Sequence, residues 1–197
     1  MKILVACERS GRVREAFRKN GHDAWSCDVV PADDGSMYHI QDDVLSHLNE
    51  EWDMMIAFPP CTHLAVSGAR WFTEGKKDIR LQQDALEFVR KLMNAPIPRI
   101  AVENPVSVIS THIRKPDQII NPYQFGDPVP KKTCLWLKNL PLLIPTNVVE
   151  PEFIIGKDGE KYSMIHYLSQ YSKDRQRIRS LMFQGIANAM ADQWSLP

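Results

Sequence analysis

An open, mostly parallel α/β sheet with helices on both faces is the fold that this sequence predicts, and three observations carry the prediction. Short apolar runs of strand length recur at residues 2–6, 24–27, 54–58 and 100–102. They are continuous rather than alternating, as strands buried inside a layered fold are. Stretches with apolar residues at helical spacing separate them, and an alternation of strand and helix builds a parallel sheet.

Each element has its own justification. Lys2-Ile3-Leu4-Val5-Ala6 reads as a buried strand, and Ser10-Gly11 opens a helix with Val13, Ala16 and Phe17 on one face, which Gly21 stops. Ala24-Trp25-Ser26-Cys27 is a second strand ending at Asp28, so the first thirty residues form a β-α-β unit. Met54-Met55-Ile56-Ala57-Phe58 runs straight into Pro59-Pro60-Cys61, and Ile100-Ala101-Val102 into Glu103-Asn104-Pro105. Between them Leu81, Ala85, Phe88, Val89 and Leu92 predict an amphipathic crossover helix. In such sheets ligands bind beyond the carboxyl ends of the strands, where these polar tips lie.

From Pro116 to Pro151 the chain is rich in proline and holds the strand-like Cys134-Leu135-Trp136-Leu137. The stretch up to about Tyr171 is polar and weakly patterned. From Asp174 onward Ile178, Leu181, Met182, Ile186 and Met190 predict two helical pieces with a break at Gln184-Gly185. No repeat is visible, and residues 1–197 read as one domain with a short irregular insertion over about 138–172.

Composition narrows the class of protein. With 197 residues, 44% hydrophobic and 24% charged, the chain is that of an ordinary globular domain, able to bury a sizeable core without disulfides or structural metal. There is no run of about 18 apolar residues of the kind that spans a membrane, and no signal-like leader, so a cytoplasmic location is expected. Cys7, Cys27, Cys61 and Cys134 are far apart and form no C-x-x-C pair, which argues for reduced thiols and against zinc. Net charge is zero, but residues 31–60 hold seven acids and no Lys or Arg, leaving 24 basic against 17 acidic residues in the rest. A polyanion could therefore be bound on one side only.

Two tips carry the chemistry. In Phe58-Pro59-Pro60-Cys61 the two prolines stiffen the backbone directly after a strand and present the thiol at the sheet edge. If the strands at 54–58 and 100–102 are neighbours, they lie about 4.8 Å apart and Cys61 faces the same crevice as Glu103. Singly, such a cysteine is more often a small apolar residue and such a glutamate a solvated one. Together, a nucleophilic thiol and a carboxyl able to protonate a ring nitrogen are the groups needed to add covalently across a pyrimidine C5–C6 bond.

These motifs resemble those of the DNA cytosine C5-methyltransferases. Pro60-Cys61, with Gly68 at the family's glycine spacing, resembles the Pro-Cys nucleophile motif, and Glu103-Asn104-Pro105 is similar to Glu-Asn-Val. Phe125-Gly126-Asp127-Pro128 before Lys131-Lys132-Thr133 resembles the Tyr-Gly-Val-Pro lead-in to an Arg-x-Arg pair, and Gly185-Ile186-Ala187-Asn188-Ala189-Met190 resembles the closing segment. The resemblance implies a Rossmann-like methyltransferase fold, S-adenosylmethionine as cofactor and DNA as substrate. It implies that Cys61 attacks C6 and Glu103 protonates N3, with Lys131 as a third catalytic group. Ala6, Cys7, Glu8, Ser10, Gly11, Asp28, Asp43, Pro59 and Asn188 would then line the cofactor site, Asp28 at the ribose and Asp43 at the adenine. Pro60, Ser67, Gly68, Arg70, Asn104 and Lys132 would contact the substrate.

The departures from the family pattern are informative. Its glycine-rich cofactor loop is replaced by Ala6-Cys7-Glu8-Arg9-Ser10-Gly11, and its Arg-x-Arg pair by Lys131 and Thr133, which lacks the guanidinium fork. The short stretch over about 138–172 stands where the family carries a target-recognition domain. It leaves little room for base reading, so low sequence specificity, single-stranded or non-specifically bound DNA, a homodimer, or a partner subunit that supplies specificity are expected. Two basic, aromatic stretches could hold an unpaired base: Arg70-Trp71-Phe72 with Lys76, Lys77 and Arg80, and Tyr162, Tyr167 and Tyr171 with Lys173, Arg175, Arg177 and Arg179. Three alternatives remain open: the same chemistry on a free nucleotide or RNA, a modified methyl donor, or a noncatalytic module that binds the cofactor or nucleic acid. An amino-methyltransferase is disfavoured, because it would leave Glu103 without a duty.

Overall fold

The computed structural model describes residues 1–68, 72, 74–156, 158–163, 167 and 179–195. Seven strands form one sheet: β1 (Lys2–Ala6), β2 (Asp23–Asp28), β3 (His39–Gln41), β4 (Met54–Ala57), β5 (Arg99–Pro105), β6 (Gln118–Ile120) and β7 (Thr133–Lys138). Their spatial order is β3-β2-β1-β4-β5-β7-β6. The pairs from β3 through β5 are parallel, and β7 runs antiparallel to both β5 and β6. Among the described residues four helices accompany the sheet: α1 (Arg12–Lys19), α2 (Ile79–Met93), α3 (Ile109–His112) and α4 (Gln184–Trp194).

The strand side chains alternate between two apolar layers. On one face Ile3, Val5, Met54 and Ile56 pack with Val13 and Phe17 of α1 and with Ile186, Met190 and Trp194 of α4. On the other, Leu4, Met55, Ala57, Ile100 and Val102 pack with Leu86, Val89 and Leu92 of α2. The chain is thus an open, mostly parallel α/β sheet with helices on both faces.

Four local readings differ from the sequence expectation. First, α2 turns Gln82, Leu86, Val89 and Leu92 inward, whereas Leu81 is 43% exposed. Gln82 Nε2 donates to the His63 carbonyl at 3.4 Å, which draws a polar residue under the first turn. Second, the break before α4 falls at 181–183, one step earlier than expected, and Gly185 lies inside the first turn. Its amide donates to Asp127 Oδ2 at 3.1 Å, and a Cβ there would overlap the Phe125 carbonyl. Third, β3 and β6 are three-residue strands, too short to show a period. Fourth, within 138–172 a hairpin of β8 (Phe153–Ile155) and β9 (Lys161–Ser163) forms, closed by Gly156, whose amide donates to the Glu160 carbonyl at 2.8 Å. Lys138 itself belongs to β7, opposite Ile100.

The start of α1 shows how the first loop is held. The Glu8 carboxylate accepts from the Val13 and Arg14 amides at 2.8 and 3.2 Å, capping the helix from five residues upstream, while Gly11 takes the left-handed φ of 72°. Arg14 is fully buried. It donates to Ser26 Oγ at 2.8 Å and to Glu15 Oε1 at 2.9 Å and pairs with Asp34, and Ser26 is in turn hydrogen-bonded with His39 Nδ1 at 2.8 Å. A buried guanidinium left without these partners would be strongly destabilising. The network therefore fixes α1 against β2, β3 and the loop between them.

Candidate active site

The register of β4 with β5, Met54 opposite Arg99 through Ala57 opposite Val102, ends both strands side by side. Glu103 is the next residue of β5, and the Phe58–Cys61 segment leaves β4 at the same level. Asn104 Nδ2, itself 1% exposed, donates to the Pro59 carbonyl at 2.9 Å and ties the proline pair to β5. Beyond it the two loops are joined by the Val66 amide on the Val106 carbonyl at 3.2 Å and the Val108 amide on the Leu64 carbonyl at 2.9 Å. Within this seam Asn104 Oδ1, Ser107 Oγ and His63 Nδ1 are buried without a partner among the described residues.

Charge couples the residues so assembled. Burial, and next the Glu103 carboxylate, push the Cys61 thiol above its ordinary pKa, while Lys131 and Arg179 oppose that rise. Glu103 keeps partial access to solvent, yet desolvation of its carboxyl raises it above the ordinary carboxylate range, again opposed by Lys131. Such a carboxyl holds its proton to higher pH than a solvated one and can act as an acid. Lys131 is half-buried, with Nζ donating to the Arg179 carbonyl at 3.0 Å and lying 5.7 Å from the centre of the Phe183 ring. The structure thus brings Cys61, Glu103 and Lys131 together and adds Arg179. The sequence placed Arg179 only in a stacking surface, since nothing in its spacing links residue 179 to residue 61.

The remaining expected substrate residues divide. Pro60 is exposed beside Cys61, and Gly68 ends a short 3₁₀ turn at Val66–Gly68. Lys132 is exposed, and its charge falls on the buried Cys134 instead. Thr133 is 1% exposed within β7. Arg70, Trp71, the Ser67 side chain, Tyr171, Lys173, Arg175 and Arg177 lie outside the described residues.

A second cluster stands at the carboxyl ends of β1 and β2. Ala6 is buried between Cys27 and Ala57, and Cys7 follows in the left-handed region at φ 58°, a conformation disfavoured for any residue with a Cβ. Burial, then Asp28, Cys27 and Asp43, push the Cys7 thiol far up, which places both carboxylates near it. Asp28 Oδ1 accepts from the Val30 amide at 3.2 Å and Asp43 Oδ1 from the Leu45 amide at 3.0 Å, so each keeps its second oxygen open among the described residues. Glu8 and Ser10 differ, because both are engaged at the start of α1, with Ser10 Oγ donating to Glu8 Oε1 at 3.2 Å. Gly11 faces Arg14 and Asp34, leaving no open space at its Cα. Asn188 is exposed on α4 and accepts from Gln184 Nε2 at 2.9 Å.

The other thiols are inert by environment: burial raises Cys27 to about 12 and Cys134 to about 11. Among the described residues no three His, Cys, Asp or Glu side chains gather to hold a metal ion, and no helix is long and apolar enough to cross a membrane.

No family model and no curated protein matches the chain. Among solved structures it is similar to a protein assigned as a DNA modification methyltransferase encoded within an E. coli prophage, at 14% identity and a TM-score of 0.46. The likeness covers 75% of this chain and 51% of that one, so the chain spans about half the length of its neighbour. At that distance it carries no functional argument.

Proposed function

We propose that the protein transfers the methyl group of S-adenosylmethionine to C5 of cytosine in DNA through a covalent Cys61 adduct. The observation that supports this most is the meeting of Cys61 with a desolvated Glu103 at the adjacent ends of β4 and β5, beside Lys131. In this reading Cys61 gives its proton to solvent and Sγ bonds to C6 of the base. The electron pair of the C5–C6 double bond moves through the ring as Glu103 delivers its proton to N3, and C5 becomes nucleophilic. When bound, the cofactor supplies an electrophilic methyl group at that carbon. Loss of the C5 proton to solvent then re-forms the double bond, expels the Cys61 thiolate and returns the N3 proton to Glu103.

The residues at β1 and β2 fit the cofactor in part. The open oxygens of Asp28 and Asp43 suit hydroxyl and amine donors and a nearby cation, and the left-handed turn at Cys7 brings backbone to the strand end. Glu8 and Ser10 contribute through the loop they brace.

The test is nucleoside mass spectrometry on duplex and single-stranded cytosine DNA incubated with protein and S-adenosylmethionine. The expected result is 5-methylcytosine with the wild type and none with Cys61→Ser. No product from the wild type on either DNA, or full activity in Cys61→Ser, overturns the reading. RNA and free nucleotide in parallel reactions test whether the substrate, rather than the chemistry, is misassigned.

A further inference from the structure

Lys131 and the backbone of Arg179 meet beside the Cys61–Glu103 site, and the charges of both side chains act on Cys61. Lys131 Nζ donates to the Arg179 carbonyl at 3.0 Å, which brings residue 179 to the ammonium. Among the described residues neither forms an ion pair. An anion seated beside both side chains would be attracted by each. The segment that carries Arg179 is anchored rather than adrift: Arg12 Nη1 donates to the Met182 carbonyl at 2.7 Å, and Asp127 holds the Gly185 amide. Meanwhile Thr133, the position where the resemblance expects an arginine, is buried in β7 and cannot serve.

We propose that Arg179, with Lys131, binds the phosphate of the nucleotide whose cytosine Cys61 attacks. The site would then accept nucleotides and nucleic acids and reject the nucleoside. This deepens the reading above and rests on it for the identity of the base. A guanidinium suits the task because its planar fork gives a phosphate two parallel hydrogen bonds, while the lysine adds a point charge. The charge of Arg179 also reaches Cys61, so phosphate and nucleophile would be held in one setting.

The test measures binding of a labelled, cytosine-containing single-stranded oligodeoxynucleotide, of deoxycytidine monophosphate and of deoxycytidine over a sodium chloride series. Wild type, Arg179→Ala and Arg179→Lys are compared, with matched melting curves to show that each is folded. The wild type should bind the monophosphate and the oligonucleotide at least tenfold more tightly than deoxycytidine. Arg179→Ala should lose roughly tenfold or more, and its slope of log affinity against log salt on the oligonucleotide should fall by about 0.7, with Arg179→Lys restoring the slope. In methyl transfer the loss should fall on KM more than on kcat.

Equal affinity for deoxycytidine and its monophosphate, a wild-type slope in Arg179→Ala, or a fall in kcat with a shifted pH profile and unaltered KM overturns the proposal. No binding of any phosphate-bearing probe by the wild type does so too. An Arg179-dependent slope without 5-methylcytosine sinks the cytosine C5 reading while the phosphate site stands. Monophosphate binding tenfold above deoxycytidine but well below the oligonucleotide assigns the phosphate to a nucleic acid.

Discussion

Because burial raises the Glu103 carboxyl above its ordinary pKa, the folded protein holds that proton to higher pH than the unfolded chain does. The unfolded chain releases it first, around the reference value of 4.5, so between that pH and the raised folded value the native state binds more protons and stability falls as pH rises. Glu103→Gln keeps the shape and removes the ionisation. Its melting temperature should match the wild type below the reference value of 4.5 and exceed it increasingly as pH rises above that value until the folded carboxyl has ionised, while kcat falls by roughly 10²–10⁴-fold. Thermal melts at a series of pH values, with single-turnover assays, check both halves. Cys7 tells a similar story in the backbone, since its φ of 58° is a place for glycine. Cys7→Gly should raise stability by about 1 kcal/mol in urea unfolding, net of the chain entropy that glycine adds. Neither property was written in the local sequence: a carboxyl's desolvation depends on what packs over it in the fold and is opposed by Lys131, 28 positions away along the chain, and a left-handed φ at a cysteine has no compositional signal.

At the scale of elements, β1, α1, β2, β4, β5 and β7 were legible because each is a run of apolar residues long enough to show its period. The missed strands of this sheet, β3 and β6, are three residues each and lie at its two edges, where half their surroundings are solvent. Cys61 and Glu103 were legible as a pair because sheet geometry converts two consecutive loaded strand ends into neighbours. The role of Glu8 was not, since a carboxylate that follows a strand reads equally as a ligand for a cofactor or as a cap for the next helix. The structure shows the second: its carboxylate meets two amide donors of α1. Glu8→Ala would leave those amides buried without acceptors and should cost about 2 kcal/mol of unfolding free energy, with α1 losing amide-exchange protection ahead of the rest of the sheet. Equal protection in the variant would show that the cap is dispensable.

Over the whole molecule, the two clusters stand at the same end of one sheet, a position set by topology rather than by any single side chain. If the Asp28–Asp43 end holds S-adenosylmethionine, ligand at 100 times Kd should stabilise the fold by about 2.7 kcal/mol. In a domain of this size that is a rise of roughly 5–10 °C in Tm. Asp28→Asn should abolish most of that rise while its own melting temperature without ligand stays close to the wild type, because only one oxygen of Asp28 is used within the fold. The contact between Gly185 and the Phe125 carbonyl acts at the same scale. Two stretches 60 residues apart touch there backbone to backbone, with Lys131 just beyond one and Arg179 just before the other. A side chain at 185 is a wedge of adjustable thickness, so a saturation library read by nucleic-acid capture would grade the spacing of the two cations, alanine, serine and valine forming a descending ladder. Second-site revertants, should selection be applied to the alanine variant, would collect in residues 125–128, where the opposing backbone can retreat.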